Sequence, residues 1–325
     1  MKPIKIQSNQ PGNFLRISYT PIDLCNFRCR YCTPDLYEGN SPRPTNLELI
    51  INNFHHLFDY YIANGKTNFE LQILGGEPTI WKDLEKFIQG IKQRHNVIVS
   101  IQSNGSRTVR WWKENAKLFD KVYLSVHHKE IDIDHLMSVA DLLYDENVLV
   151  DTIVCMDPYA WDKCVGLVEH LKTSNRTWYI GTQQIEESNH ENVYTDDQLK
   201  YLSKSIKRIP NLWYVFKMRN RTYSHSSKIY FDNNKSKRVQ HNDVAINQWN
   251  HFYNWKCNIG VDSIHISTLG QLQGSCGEKL YNLSEFYNIY ATDFVHNFNP
   301  ELVPTTCRRL GCYCVPETLL TKAKI

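Results

Sequence analysis

The sequence has no apolar run approaching the roughly 20 residues that cross a bilayer, which excludes a helical membrane span. Its opening stretch, Met1 to Asn13, is polar and lacks an apolar core followed by a cleavage site. A secretory leader is therefore not expected. Strong charge of one sign is missing as well: 37 Lys and Arg face 34 Asp and Glu, a net charge of +3. A near-neutral chain by itself implies no polyanionic partner. These absences predict a cytoplasmic protein without membrane contact.

What is present is ample for a buried core. Hydrophobic residues make up 42% of the chain and aromatics 12%, well outside the disordered range. At 325 residues the chain exceeds a typical single domain, and one α/β barrel with an appendage accounts for the length. Of its ten cysteines, eight fall in two groups at opposite ends of the sequence. Disulfide scaffolds are small and dense, so this grouping favours metal. Cys155 and Cys164 stand apart and read as ordinary buried thiols.

The first group is Cys25-Asn26-Phe27-Arg28-Cys29-Arg30-Tyr31-Cys32. Three thiolates in one tight loop can converge on one centre, and soft sulfur ligands select iron–sulfur clusters or zinc. Zinc takes a fourth Cys or His close by, and none follows before His55. Three ligands on a cuboidal cluster leave one iron open, which is where chemistry can occur.

The spacing Cys-x3-Cys-x-aromatic-Cys, with Tyr31 as the aromatic, resembles the signature of the radical S-adenosylmethionine (SAM) enzymes. That resemblance implies a 4Fe–4S cluster on Cys25, Cys29 and Cys32, with SAM chelated at the open iron. It also implies reductive cleavage of SAM to a 5′-deoxyadenosyl radical that abstracts a hydrogen atom from substrate.

The rest of the chain is consistent with that family. Phe14–Thr20 reads as a strand delivering the chain into the cysteine loop. Thr45 to Glu48 reads as a capping box, followed by a helix with Ile50, Ile51, Phe54, Leu57, Phe58 and Tyr61 on one stripe. The strand 69–74 ends in Gly75-Gly76-Glu77-Pro78. Such a stretch can be a simple turn. Within the resemblance it holds the methionine amine of SAM, because two residues without side chains allow close backbone approach and Glu77 adds an acceptor. The strand 97–102 ends in Ser103-Asn104, which the resemblance assigns to the SAM ribose. Ser125, near the end of strand 122–126, is a further SAM candidate, and His127 follows it. Strands 148–155 and 178–183 alternate with helices 133–145 and 160–172. Six or seven βα units between residues 14 and 210 predict a parallel sheet with helical crossovers. The expected fold is α/β, a partial (β/α)6-type radical SAM barrel.

Beyond residue 186 the alternation stops. Between residues 211 and 242 seven Lys or Arg accompany one acid, Asp232, with aromatics interleaved. A solvated insertion explains this stretch, and a nucleic-acid contact is the sharper alternative. Cys257, Cys276, Cys307, Cys312 and Cys314 form the second group, with a strand–turn–strand between the first two. The pattern resembles a reduced SPASM/twitch module, a small cysteine-rich β-hairpin unit implying one auxiliary 4Fe–4S cluster on four of the five. A structural zinc site would use the same residues.

The expected organisation is a barrel over 1–210, an insertion or linker over 211–256 and the auxiliary module over 257–325. The family implies a small electron donor such as a flavodoxin or ferredoxin. A peptide or protein side chain is the expected substrate, with a nucleoside, nucleic acid or sugar as the alternative. A non-catalytic metal-stabilised binding protein is the reading from another class.

Overall fold

The computed structural model describes residues 2–42, 44–176, 178–185, 193–203, 226–275, 277, 279–281, 285–312 and 315–325. Its first strand, β1 (Pro3–Ser8), precedes β2 (Phe14–Tyr19). Six strand–helix units then follow: β2–α1 (Leu47–Ala63), β3 (Asn68–Ile73)–α2 (Leu84–Arg94), β4 (Val97–Ser103)–α3 (Val109–Asn115), β5 (Lys121–Val126)–α4 (Ile133–Asp145), β6 (Leu149–Met156)–α5 (Trp161–Leu171) and β7 (Tyr179–Gln184)–α6 (Asp196–Ser203). Later strands are β8 (Ser227–Phe231), β9 (Ser236–Val239), β10 (Trp255–Cys257), β11 (Ser263–Ile266), β12 (Leu272–Gln273), β13 (Thr305–Thr306) and β14 (Lys322–Lys324).

The large sheet runs β12-β11-β2-β3-β4-β5-β6-β7. Strands β2 to β7 pair in parallel, as short strands joined by helical crossovers must. The order ends at β12 and β7, so the sheet is open, a partial barrel. Leu15, Ile17 and Tyr19 of β2 and Leu71 and Ile73 of β3 join Phe54, Leu57 and Phe58 of α1 in one apolar core. Truncating a fully buried ring such as Phe54 to alanine costs about 3–5 kcal/mol.

Three features differ from the expectations. Helix α1 is capped by Asn46, whose side chain accepts from the Leu49 amide, rather than by Thr45. The strand after Cys257, β11, lies parallel beside β2 in the barrel sheet, and β12 is its antiparallel partner. A smaller sheet, β13-β10-β14-β1-β8-β9, joins residues from both ends of the chain. Sheet membership therefore crosses the expected boundaries at 211 and 257, because backbone pairing recruits distant segments. The basic and aromatic stretch is described only from Ser226 onward, where it forms β8 and β9. Among the described residues no helix is long and apolar enough to cross a membrane.

Candidate active site

The loop after β2 carries Cys25, Cys29 and Cys32, none of them in a disulfide. Its turn is closed by the Cys32 amide donating to the Cys29 carbonyl at 3.0 Å. Burial pushes the Cys29 thiol up to about 12, and the charges of Cys32 and Cys25 push the same way. Burial and Cys25 raise Cys32 in turn. Thiols that oppose one another's ionisation are a donor set that a cationic iron centre relieves, since the metal binds the thiolate form. Three cysteines within electrostatic reach fit a cluster with an open iron. They are not drawn into a closed cage: among the described residues no group of three or more His, Cys, Asp or Glu is tight enough to hold an ion.

Two residues inside the loop anchor it to neighbouring strand ends. Arg30 makes a two-pronged pair with Asp157 beyond β6, Nε to Oδ2 at 3.0 Å and a terminal nitrogen to Oδ1 at 2.7 Å. The ring of Tyr159 covers its guanidinium at 4.6 Å. The Tyr31 hydroxyl bonds Nδ1 of His127, just past β5, at 2.8 Å, with the two rings stacked. Burial lowers the His127 pKa to about 4. Cys155, at the end of β6, is pushed up to about 12 by burial and by the nearby Cys29 charge. This thiol therefore stands beside the loop, although its isolated place in the sequence carries no sign of that. Asp157 was equally invisible as an anchor, being one acid after a strand.

Gly75 and Gly76 lie flat against residues 22–24, the approach to Cys25. Their amide neighbours hold the contact: Gly76 N–H donates to the Ile22 carbonyl at 3.1 Å, and Glu77 N–H to the Leu24 carbonyl at 2.8 Å. A Cβ at Gly75 would sit 2.3 Å from Ile22 O, and one at Gly76 would sit 2.2 Å from Leu24 O. Gly75 also adopts φ +138, which favours glycine. In the chain itself, the glycines answer to backbone packing against the cysteine loop.

Glu77 is fully buried, and four donors converge on its carboxylate. Oε1 accepts from the Thr79 amide at 3.1 Å, the Thr79 hydroxyl at 2.6 Å and the Ser103 hydroxyl at 2.8 Å. Oε2 accepts the Asn104 amide at 2.7 Å. Burial raises its pKa, and those hydrogen bonds work against the rise. The Asn104 side chain then donates to Asn26 Oδ1 at 2.9 Å and reaches Cys25 Sγ at 3.9 Å. One hydrogen-bonded chain thus links all three strand-end motifs.

Comparison with known proteins gives this geometry its family. Residues 19–163 match the model of the Radical SAM superfamily. Residues 19–163 are a radical SAM domain. The chain is similar to GTP 3′,8-cyclase of Pasteurella multocida (strain Pm70), 38% identical over 124 residues, which covers 34% of this chain and 35% of that protein. It is also similar to GTP 3′,8-cyclase of Haemophilus ducreyi (strain 35000HP / ATCC 700724), 36% identical over 178 residues, 53% of this chain and 43% of that protein. The chain therefore spans well under two thirds of the curated relatives it matches. A crystal structure of methylornithine synthase (PylB) aligns over 65% of this chain and 63% of that one, with TM-score 0.39 and 11% identity. The cofactors of this family are a 4Fe–4S cluster and SAM.

The radical SAM domain has a polar face turned away from its helices. Arg16 pairs with Glu70 at 3.1 Å, and Ser100 donates to the same carboxylate at 2.8 Å. Lys121 pairs with Asp151 at 2.6 Å. All five are buried. Gln102 donates to the Ser125 hydroxyl at 3.3 Å on the same face, which is where the structure places Ser125. A signal for this face exists in the sequence: Arg16, Ser18, Glu70 and Gln72 alternate with apolar residues, whereas a strand covered by apolar layers on both sides reads as continuously hydrophobic.

Of the C-terminal cysteines, Cys257 ends β10, and Cys307 and Cys312 pack against the second apolar core with Phe252 and Trp255. Cys276 and Cys314 lie outside the described residues.

Proposed function

We propose that this chain is a radical SAM enzyme whose cluster ligands are Cys25, Cys29 and Cys32. Bound together, the cluster and SAM supply a 5′-deoxyadenosyl radical that takes a hydrogen atom from the substrate. Gly75, Gly76, Glu77, Ser103 and Asn104 form the side of the site that receives SAM, with Tyr31 and Ser125 at its margins. The single observation carrying this reading is the hydrogen-bonded chain from Glu77 through Asn104 to Cys25, which ties the three motifs together. Glu77 contributes mainly by holding the motif loops, since both of its oxygens already accept protein donors. A one-electron donor such as a flavodoxin or ferredoxin is the expected partner. The C-terminal cysteines are read as an auxiliary iron–sulfur site.

For the substrate we infer a purine nucleotide or nucleoside in place of the peptide expected at first. Similarity to proteins named GTP 3′,8-cyclase supports this, and the polar face of the sheet suits a hydrogen-bonding ligand. A peptide side chain stays as the second reading, carried by the C-terminal cysteine pattern. Anaerobic incubation of reconstituted protein with SAM, dithionite and GTP tests the choice. GTP consumption coupled to 5′-deoxyadenosine release supports the nucleotide. Release of 5′-deoxyadenosine with GTP unchanged removes GTP and favours the peptide reading.

A further inference from the structure

On the polar face of the large sheet the charges are paired off and the amides are not. Residues in register on neighbouring strands project to the same side of a sheet, so the pairing shows which side chains share this face with Arg16 and Glu70. His265 of β11, Ser18 of β2 and Gln72 of β3 stand side by side in one row. Gln273 of β12 extends that row beyond His265. On the far side of the sheet Asp151 of β6 is in register with Tyr179 of β7, and alternation along the strand brings Gln183 to the same face.

Gln72, Gln183, His265 and Gln273 are half-buried. None of their side chains forms a hydrogen bond to another described residue. The Ser18 hydroxyl and Nδ1 of His265, neighbours in the row, are buried without a partner. Buried polar groups are ordinarily satisfied, so this row is a set of donors and acceptors with nothing yet to bind.

The cations of the same strands are not available in that way. Arg16 is matched by Glu70 and Lys121 by Asp151. Burial lowers the His265 pKa to about 4, which leaves the imidazole neutral at about pH 7. An amide side chain can meet a nucleobase edge with two hydrogen bonds. A triphosphate instead calls for charge-assisted bonds from Arg or Lys, and among the described residues this face offers none that lacks a carboxylate.

We propose that Gln72, Gln183, His265 and Gln273 line the substrate site and select an uncharged purine nucleoside over its triphosphate. The inference rests on the purine reading above and narrows it. The base edge and the sugar hydroxyls supply the partners that the row lacks, and a ligand without them leaves those groups unpaired.

The test is equilibrium dialysis of the reconstituted, SAM-loaded protein against guanosine and against GTP. Guanosine is expected to bind more tightly than GTP by about tenfold or more, since a triphosphate would lose solvation without gaining a counter-charge. Gln72→Leu and Gln183→Leu should each weaken guanosine binding by about tenfold, the loss of a buried hydrogen bond. SAM binding should stay unchanged in both variants, which also shows that they fold. The comparison of the two ligands in the parent decides the matter even where a variant does not fold. GTP binding as tight as guanosine binding, or tighter, overturns the proposal and leaves the purine reading standing. Guanosine binding that folded variants retain at parental strength overturns it as well. If the parent binds neither ligand, the purine reading itself fails, and the proposal falls with it.

Discussion

The Asn104 amide donates to the Glu77 carboxylate at 2.7 Å, and this one bond joins the loop after β3 to the end of β4. Three more donors from Thr79 and Ser103 complete the knot. Glutamine at position 77 would place an NH2 donor among them and leave at least one buried donor unmet. Such a loss costs about 1–3 kcal/mol. Glu77→Gln should therefore lower the urea midpoint by a corresponding amount and weaken SAM binding about tenfold, read by equilibrium binding. Unchanged stability would mean that the knot is not a structural element.

The contact of Gly76 with Leu24 makes a paired prediction. Gly76→Ala drives a Cβ to 2.2 Å from a backbone oxygen, an overpacking that typically costs about 1–3 kcal/mol. Gly166, inside α5, has no atom within 4 Å of its virtual Cβ, and alanine there should stabilise by about 0.5–1 kcal/mol. Thermal melts of the two variants should move in opposite directions. Similar shifts in both would contradict the packing account.

Acid should weaken the fold through buried histidines. Burial lowers the His127 pKa from 6.5 to about 4, with the His128 charge adding to the effect. Between those values the unfolded chain binds a proton that the folded chain refuses. The stability is fully present above pH 6.5 and is lost as pH falls toward 4, at about 1.4 kcal/mol per pH unit for each such group. His241 and His265 are lowered to about 4 in the same way. Urea unfolding at about pH 7, 6 and 5 should show the decline, and His127→Gln should make it shallower. An unaltered slope would place the proton elsewhere.

The six βα units were legible because their apolar stripes and strand-end motifs are local: Ile133–Asp145 follows from four apolar positions on one face, Leu136, Val139, Ala140 and Leu143. The placement of β1 was not legible. Its partners, β8 and β14, are more than 200 residues away, and no local pattern names them. Nor did Ser263–Ile266 announce that it adds to the barrel beside β2, since a short amphipathic strand is compatible with many neighbours. At the candidate site the cysteine and glycine spacings could be read directly. The partners of Arg30 and Tyr31, Asp157 and His127, arise from folding three strand ends, those of β2, β5 and β6, to one rim. Glu77 was legible as an acceptor, but the donors that fill it came only with the geometry.

Cys25, Cys29 and Cys32 are proposed to hold a cluster at which SAM is cleaved. The most direct measurement is 5′-deoxyadenosine released from SAM by the anaerobically reconstituted protein under dithionite, beside the Cys29→Ala variant. The parent should release it and Cys29→Ala should not, with Cys155→Ser close to the parent. No release from a parent that carries its iron, or equal release from Cys29→Ala, would contradict it.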